Sequence, residues 1–151
     1  MSHFIQDVRS DLRVGGTQQG FSLIELMVVV AIVAVLSVVA YASYDWATTK
    51  TRRKEAAGCI TQGAQFMERF YATNLRYDKT LAGAAVAFPA PLCNDDLTPY
   101  YNVTLSAVSA TTYTVQAVPL GTQATRDTSC GTLAMNQAGT KTASGGGSGC
   151  W

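Results

Sequence analysis

Leu26 to Ala42 is a run of 17 residues in which Ser37 is the only polar side chain. Proline is absent before Pro89, and glycine is absent between Gly20 and Gly58. A stretch this apolar is close to the shortest that crosses a bilayer, for which about 20 residues are needed. A secretory signal would be cut at small residues soon after a short core. No such site follows here, and the helical pattern runs on past Ala42. On pattern alone, the segment reads as a retained single-span anchor between a polar leader and a soluble domain.

Beyond the apolar run the pattern becomes amphipathic. At 100° per residue, Ala56, Cys59, Ile60, Gly63, Phe66, Met67, Phe70 and Tyr71 share one face. Lys54, Thr61, Gln62, Gln65, Glu68 and Arg69 share the other. A continuous helix from Phe21 to Tyr71 would be roughly 75 Å long at 1.5 Å per residue. That is far longer than a small domain is wide, so lipid or other protein copies must cover its first half.

Breakers dominate from Thr73 to Pro99: Asn74, Gly83, Pro89, Pro91, Asn94, Asp95 and Pro99. This predicts a long irregular connection, with Cys93 available to pin it. Strand alternation follows. Tyr101, Val103, Leu105 and Ala107 alternate with polar residues, as do Tyr113, Val115 and Ala117. Ser109-Ala110-Thr111 links these two runs at hairpin length. Leu133 and Met135 alternate next, and a turn at Gln137-Ala138-Gly139 leads to a short run at 140–143. The expected fold class is α+β, an antiparallel four-stranded meander whose apolar face is covered by the amphipathic helix. The tail Ser144–Gly149 would be floppy unless Cys150 ties it down.

Composition limits the chemistry. The chain has 151 residues, 48% hydrophobic and 14% charged, with a net charge of +1. It is not a disordered chain, and it lacks a dedicated nucleic-acid charge surface, although a local patch is compatible. His3 is its only histidine, which weakens His-based catalysis and His-rich metal sites. There is no phosphate-binding glycine loop and no CxxC. Asp95-Asp96 reads as a solvated turn rather than a calcium site, and no cofactor or metal is implied. Lys50–Lys54 reads as a solvated helix face. Orientation stays open on the residues alone. Lys50, Arg52, Arg53 and Lys54 follow the apolar run and Arg9 and Arg13 precede it, which would place the C-terminal domain in the cytoplasm. Four cysteines argue for an oxidising exterior, and they allow three pairings.

The junction Gly20-Phe21-Ser22-Leu23-Ile24-Glu25-Leu26-Met27-Val28-Val29-Val30 resembles the N-terminal signature of type IV prepilins. Glycine, phenylalanine, a hydroxyl residue and a glutamate at the fifth position all stand inside a hydrophobic run. Glu68-Arg69-Phe70-Tyr71, Tyr113–Ala117, Thr128–Leu133, Asn136–Gly139 and the final Cys150-Trp151 are similar to PilE-type minor pilins. The resemblance implies the type IV pilin fold. It implies a leader at 1–20 cleaved by a prepilin peptidase between Gly20 and Phe21, with methylation of Phe21. Residues 21–45 would form the membrane and filament-core half of the helix, and 46–151 the soluble head. Before assembly the protein would sit in the bacterial inner membrane with its head in the periplasm; afterwards it would be part of an extracellular filament.

The implied function is that of a structural, non-enzymatic subunit of a type IV pilus, a minor pilin supporting assembly, motility and adhesion. The alternatives are a DNA-binding minor pilin, a major pilin or a secretion-system pseudopilin. Implied partners are other pilin subunits through the N-terminal helix, the inner-membrane assembly machinery, and DNA or surfaces. Glu25 would meet the N-terminal amine of a neighbouring subunit and set register, offsetting its cost in an apolar segment. The family's C-terminal staple implies Cys130 with Cys150, leaving Cys59 with Cys93. Arg76, Lys79, Arg126 and Lys141 are candidate DNA contacts. In two places the sequence departs from the family. The leader is long, and alanine stands at 34 and 42 in place of the usual glycine and proline. Both alanines favour a straighter, stiffer helix.

Overall fold

The computed structural model describes residues 20–93 and 96–151. Residues 1–19 of the leader, with His3, and Asp95 of the acidic pair lie outside the described residues. Contacts divide the chain between Ala40 and Tyr41 into two compact units.

Helix α1 (Leu23–Asn74) starts at Ser22, whose Oγ accepts the backbone N–H of Glu25 at 3.2 Å. A hydroxyl here satisfies a donor that has no partner within the helix, and an acid in the first turn suits the dipole. In the first unit the large apolar side chains from Phe21 to Val39 are 51–77% exposed. Fully burying one such side chain contributes about 1.5–3 kcal/mol, so leaving all of them in water is untenable. The helix ends where Leu75 adopts a φ of 56°. There Asn74 donates to Phe70 O and accepts the Leu81 N–H at 3.1 Å.

In the second unit four strands form one antiparallel sheet in the order β1 (Tyr101–Val108), β2 (Tyr113–Pro119), β3 (Leu133–Asn136), β4 (Lys141–Ala143). The register aligns Val103, Ala117, Leu133 and Ala143 in one row, and Leu105, Val115 and Met135 in the next. These rows face Ala56, Ile60, Ala64 and Met67 of α1, and together they form the core.

Three expectations need correction. Ala107 does not join the apolar face: the β1–β2 register shifts between Leu105 and Ala107, and Ala107 is exposed. Such a bulge turns the strand's later side chains. Tyr71 is at the margin of the helix face, 36% exposed, because the sheet ends before it. A short helix, α2 (Gly121–Arg126), interrupts the meander between β2 and β3. It carries no apolar periodicity by which to be seen.

Among the described residues, the segment between α1 and β1 has no strand of its own, only an isolated bridge from Lys79 to Ala85. It packs through Tyr77 and Leu97, both buried, and through Phe88, whose ring meets that of Phe66 edge-on at 5.8 Å. Gly63 makes this approach possible. A Cβ there would lie 2.9 Å from Leu92 and Phe88 side-chain carbons and 3.1 Å from Val115. Gly58, one and a half turns earlier, has nothing within 4 Å of a Cβ position. Gly63→Val is expected to destabilise the oxidised protein by about 1–3 kcal/mol through overpacking. Gly58→Ala should instead stabilise it, by up to about 1 kcal/mol. Urea midpoints of the two variants test this, and equal shifts would refute the packing role of Gly63.

Candidate functional site

Gly20 and Phe21 lie just ahead of α1, and Phe21 is 77% exposed. The junction is non-helical backbone, and among the described residues nothing lies within 4 Å of a Cβ position on Gly20. The side chain of Glu25 is exposed, and no cation pairs with it among the described residues. A carboxylate one turn into an apolar helix is a ready partner for an amine. The Ser22 cap escaped the sequence reading, though a hydroxyl followed three residues later by glutamate signals it.

At the other end, Cys130 and Cys150 form a disulfide with Cα atoms 5.5 Å apart. The glycine-rich tail is held along its length as well as at its end. Gly145 N–H donates to Cys130 O at 3.0 Å and Gly147 N–H to Ser129 O at 2.8 Å. Ser144 Oγ accepts the Thr132 N–H at 2.9 Å. A Cβ on Gly145 would collide with the backbone oxygens of Thr128 and Ser129. Here glycine permits two backbones to lie against each other. Trp151 Nε1 donates to Thr142 O at 3.1 Å, and Lys141 Nζ lies 5.1 Å from its ring centre. The second disulfide joins Cys59 of α1 to Cys93, with Cα atoms 5.9 Å apart. It fastens the long segment to the helix.

The basic cluster after the apolar run is not uniformly solvated. Arg53 turns into the head and pairs with buried Asp127 at 2.5 Å. Asp127 also accepts the Tyr101 hydroxyl at 3.0 Å, and Gln123 Nε2 donates to Thr49 O at 3.1 Å. This buried polar knot ties α2 to α1. Burial, then the nearby Asp127 carboxylate, pushes Tyr101 up to about 12, while Gln123 and Arg53 pull the other way. A second knot joins the helix to the sheet: Glu68 accepts hydroxyls from Tyr77 and Tyr113 at 3.1 and 3.0 Å. Burial and then the Glu68 hydrogen bond raise both phenols.

The four candidate DNA cations are not gathered by contact with one another. Arg76 grips Asp78 through two hydrogen bonds at 2.6 and 2.8 Å. This pairing holds the Asp78 carboxyl below and the Arg76 guanidinium above their usual values. Lys79 is exposed in the long segment. Arg126 pairs with Asp45 at 3.1 Å, and Lys141 sits by Trp151 on the edge strand. Asp96 is exposed. No group of three or more metal-ligating side chains occurs among the described residues.

Two measurements follow. Cys150→Ser is expected to cost about 2–4 kcal/mol of head stability, read from denaturant midpoints under oxidising conditions. No loss would mean that the backbone bonds alone hold the tail. Tyr101 keeps its proton to about 12 when folded against 10.0 as its ordinary value. Its contribution is therefore complete below pH 10 and is lost as pH climbs towards 12. The phenolate absorbance that a Tyr101→Phe variant lacks should develop well above pH 10, and stability should fall through that window. Ionisation of Tyr101 at its ordinary value of 10.0 would refute its burial in this knot.

Comparison with known families matches residues 42–134 to "Type IV minor pilin ComP, DNA uptake sequence receptor", and residues 16–41 to the prokaryotic N-terminal methylation motif. No curated protein matches. Among solved structures, the non-core minor pilin PilV of Neisseria meningitidis is 30% identical, over 68% of this chain and 93% of that one, with a TM-score of 0.46. The first of these matches spans more than half of the chain, over the helix face, the disulfide-bonded Cys59 and Cys93, and most of the sheet; the protein belongs to the type IV minor pilins.

Proposed function

We propose that this minor pilin is cut between Gly20 and Phe21, methylated at Phe21, and incorporated into a type IV pilus through residues 21–45, with 46–151 as its head. The observation that carries this reading is the uncovered apolar half of α1, 51–77% exposed on every large side chain from Phe21 to Val39. The methylation motif over 16–41 supports it. Before assembly, lipid covers this surface; afterwards, neighbouring pilin helices do. Glu25 then pairs with the amine of Phe21 on a neighbour and sets the axial register. Mass spectrometry of sheared filaments should find methylated Phe21 as the N-terminus. Glu25→Ala should leave the membrane fraction unchanged and lower the filament fraction at least about tenfold, as expected when a desolvated pair is broken. An intact leader in filaments, or normal incorporation of the variant, would overturn the reading.

A second reading is supported by the family description, which names a DNA uptake sequence receptor. On this reading the head captures DNA, with phosphate contacts from cations that have no carboxylate of their own. Lys79 fits that role better than Arg76 or Arg126, which are each paired. Binding of the oxidised head to duplex DNA should weaken with salt, and Lys79→Ala should lower the log–log salt slope by about 1. A slope that is unchanged removes Lys79 from the interface.

A further inference from the structure

The start of the second unit carries an exposed aromatic and basic surface. Tyr41, Tyr44 and Trp46 are each 68% exposed. Trp46, Lys50 and Lys54 recur every four residues and so share one helix face. Lys50 bends back along the helix, placing its ammonium 4.8 Å from the centre of the Trp46 ring. Asp45 is the only acid between Glu25 and Glu55. Its carboxylate is taken by Arg126 of the head. Lys50 and Lys54 have no carboxylate partner among the described residues, so the stripe carries two cations that are not in ion pairs.

We propose that this aromatic and cationic stripe is a binding site for anionic phospholipid headgroups, engaged while the pilin waits in the membrane. The inference rests on the membrane-stored state described above. From Leu23 to Tyr41 the helix rises about 27 Å, close to the thickness of a bilayer's hydrocarbon core. Tyr41 and Tyr44 then fall at the far interface, where amphipathic rings are favoured. Trp46 lies about 7.5 Å further along the helix axis, within the headgroup layer. Lys50 would stand beyond that layer if extended, but its backward bend returns its charge to the level of Trp46. The excess of positive charge selects lipids of opposite sign. Lys54, another turn out, contributes only through the diffuse field near the surface.

The test uses the full mature chain with Trp151→Phe, which leaves Trp46 as its only tryptophan, reconstituted in vesicles of phosphatidylcholine with phosphatidylglycerol. Flotation with the vesicles is scored first. Quenching of Trp46 is then measured with headgroup-labelled phosphatidylglycerol and headgroup-labelled phosphatidylcholine. The anionic label should quench about twofold more strongly at ~0.1 M salt. Lys50→Gln should abolish the difference, and Lys54→Gln should reduce it less. Equal quenching by the two labels in a chain that floats overturns the lipid site alone. So does Trp46 that remains open to aqueous acrylamide and becomes shielded only in filaments. A chain that does not float overturns the membrane-stored state and the lipid site with it.

Discussion

Ile60 and Met67 stand two turns apart on α1, and neither retains any exposure. The head is arranged so that this stripe stays out of water. The sheet presents one apolar face that must be covered. Helix and sheet each supply what the other lacks, and their junction is then fixed by contacts that tolerate little substitution. Gly63 admits Phe88 and Leu92, and the Glu68 carboxylate draws in Tyr77 and Tyr113. Loss of the stripe would release the sheet and leave the long segment tied to the helix only through the Cys59–Cys93 bond.

The same helix meets two different environments. Ahead of Tyr41 it is apolar all round, the mark of a helix enclosed on every side by lipid or by other helices. Beyond Tyr41 it is apolar on one side only, and the chain covers that side itself. Asp45, Thr49 and Arg53 mark the changeover, each engaged by α2 or by Asp127 just after it. A short helix with no apolar face thus serves as a polar latch. It closes the head at the point where the chain passes from covered by others to covered by itself.

Most of the frame was legible in the sequence because it rests on periodicity. The spacing from Ala56 to Met67 and the alternation through Val115, Ala117, Leu133 and Met135 report burial directly. What escaped has no periodic signal. The pairing of Arg53 with Asp127 joins residues 74 apart in sequence, and a lone arginine in a basic run looks solvated until its partner is found. The bulge before Ala107 leaves the alternation of residue types intact while turning the side chains over. In the tail, the glycines of 144–149 look like slack; Gly145 and Gly147 are instead the close-contact surface against Thr128 and Ser129. The signature at Gly20–Glu25 was legible as a resemblance, whereas the Ser22 cap inside it was legible as chemistry and was missed.

The two disulfides join cysteines that are consecutive along the chain, Cys59 to Cys93 and then Cys130 to Cys150. The loops they close neither interlace nor nest. A head delivered from its N-terminal side into an oxidising compartment exposes the first pair before the second exists there. Oxidation in order of emergence therefore produces the native connectivity, and nothing needs to be reshuffled. The first bond would close while the sheet is still arriving, so the segment to Cys93 is already fastened to the helix when β1 comes to dock on it. For a head delivered in this way, the order of synthesis and the order of covalent closure would be the same.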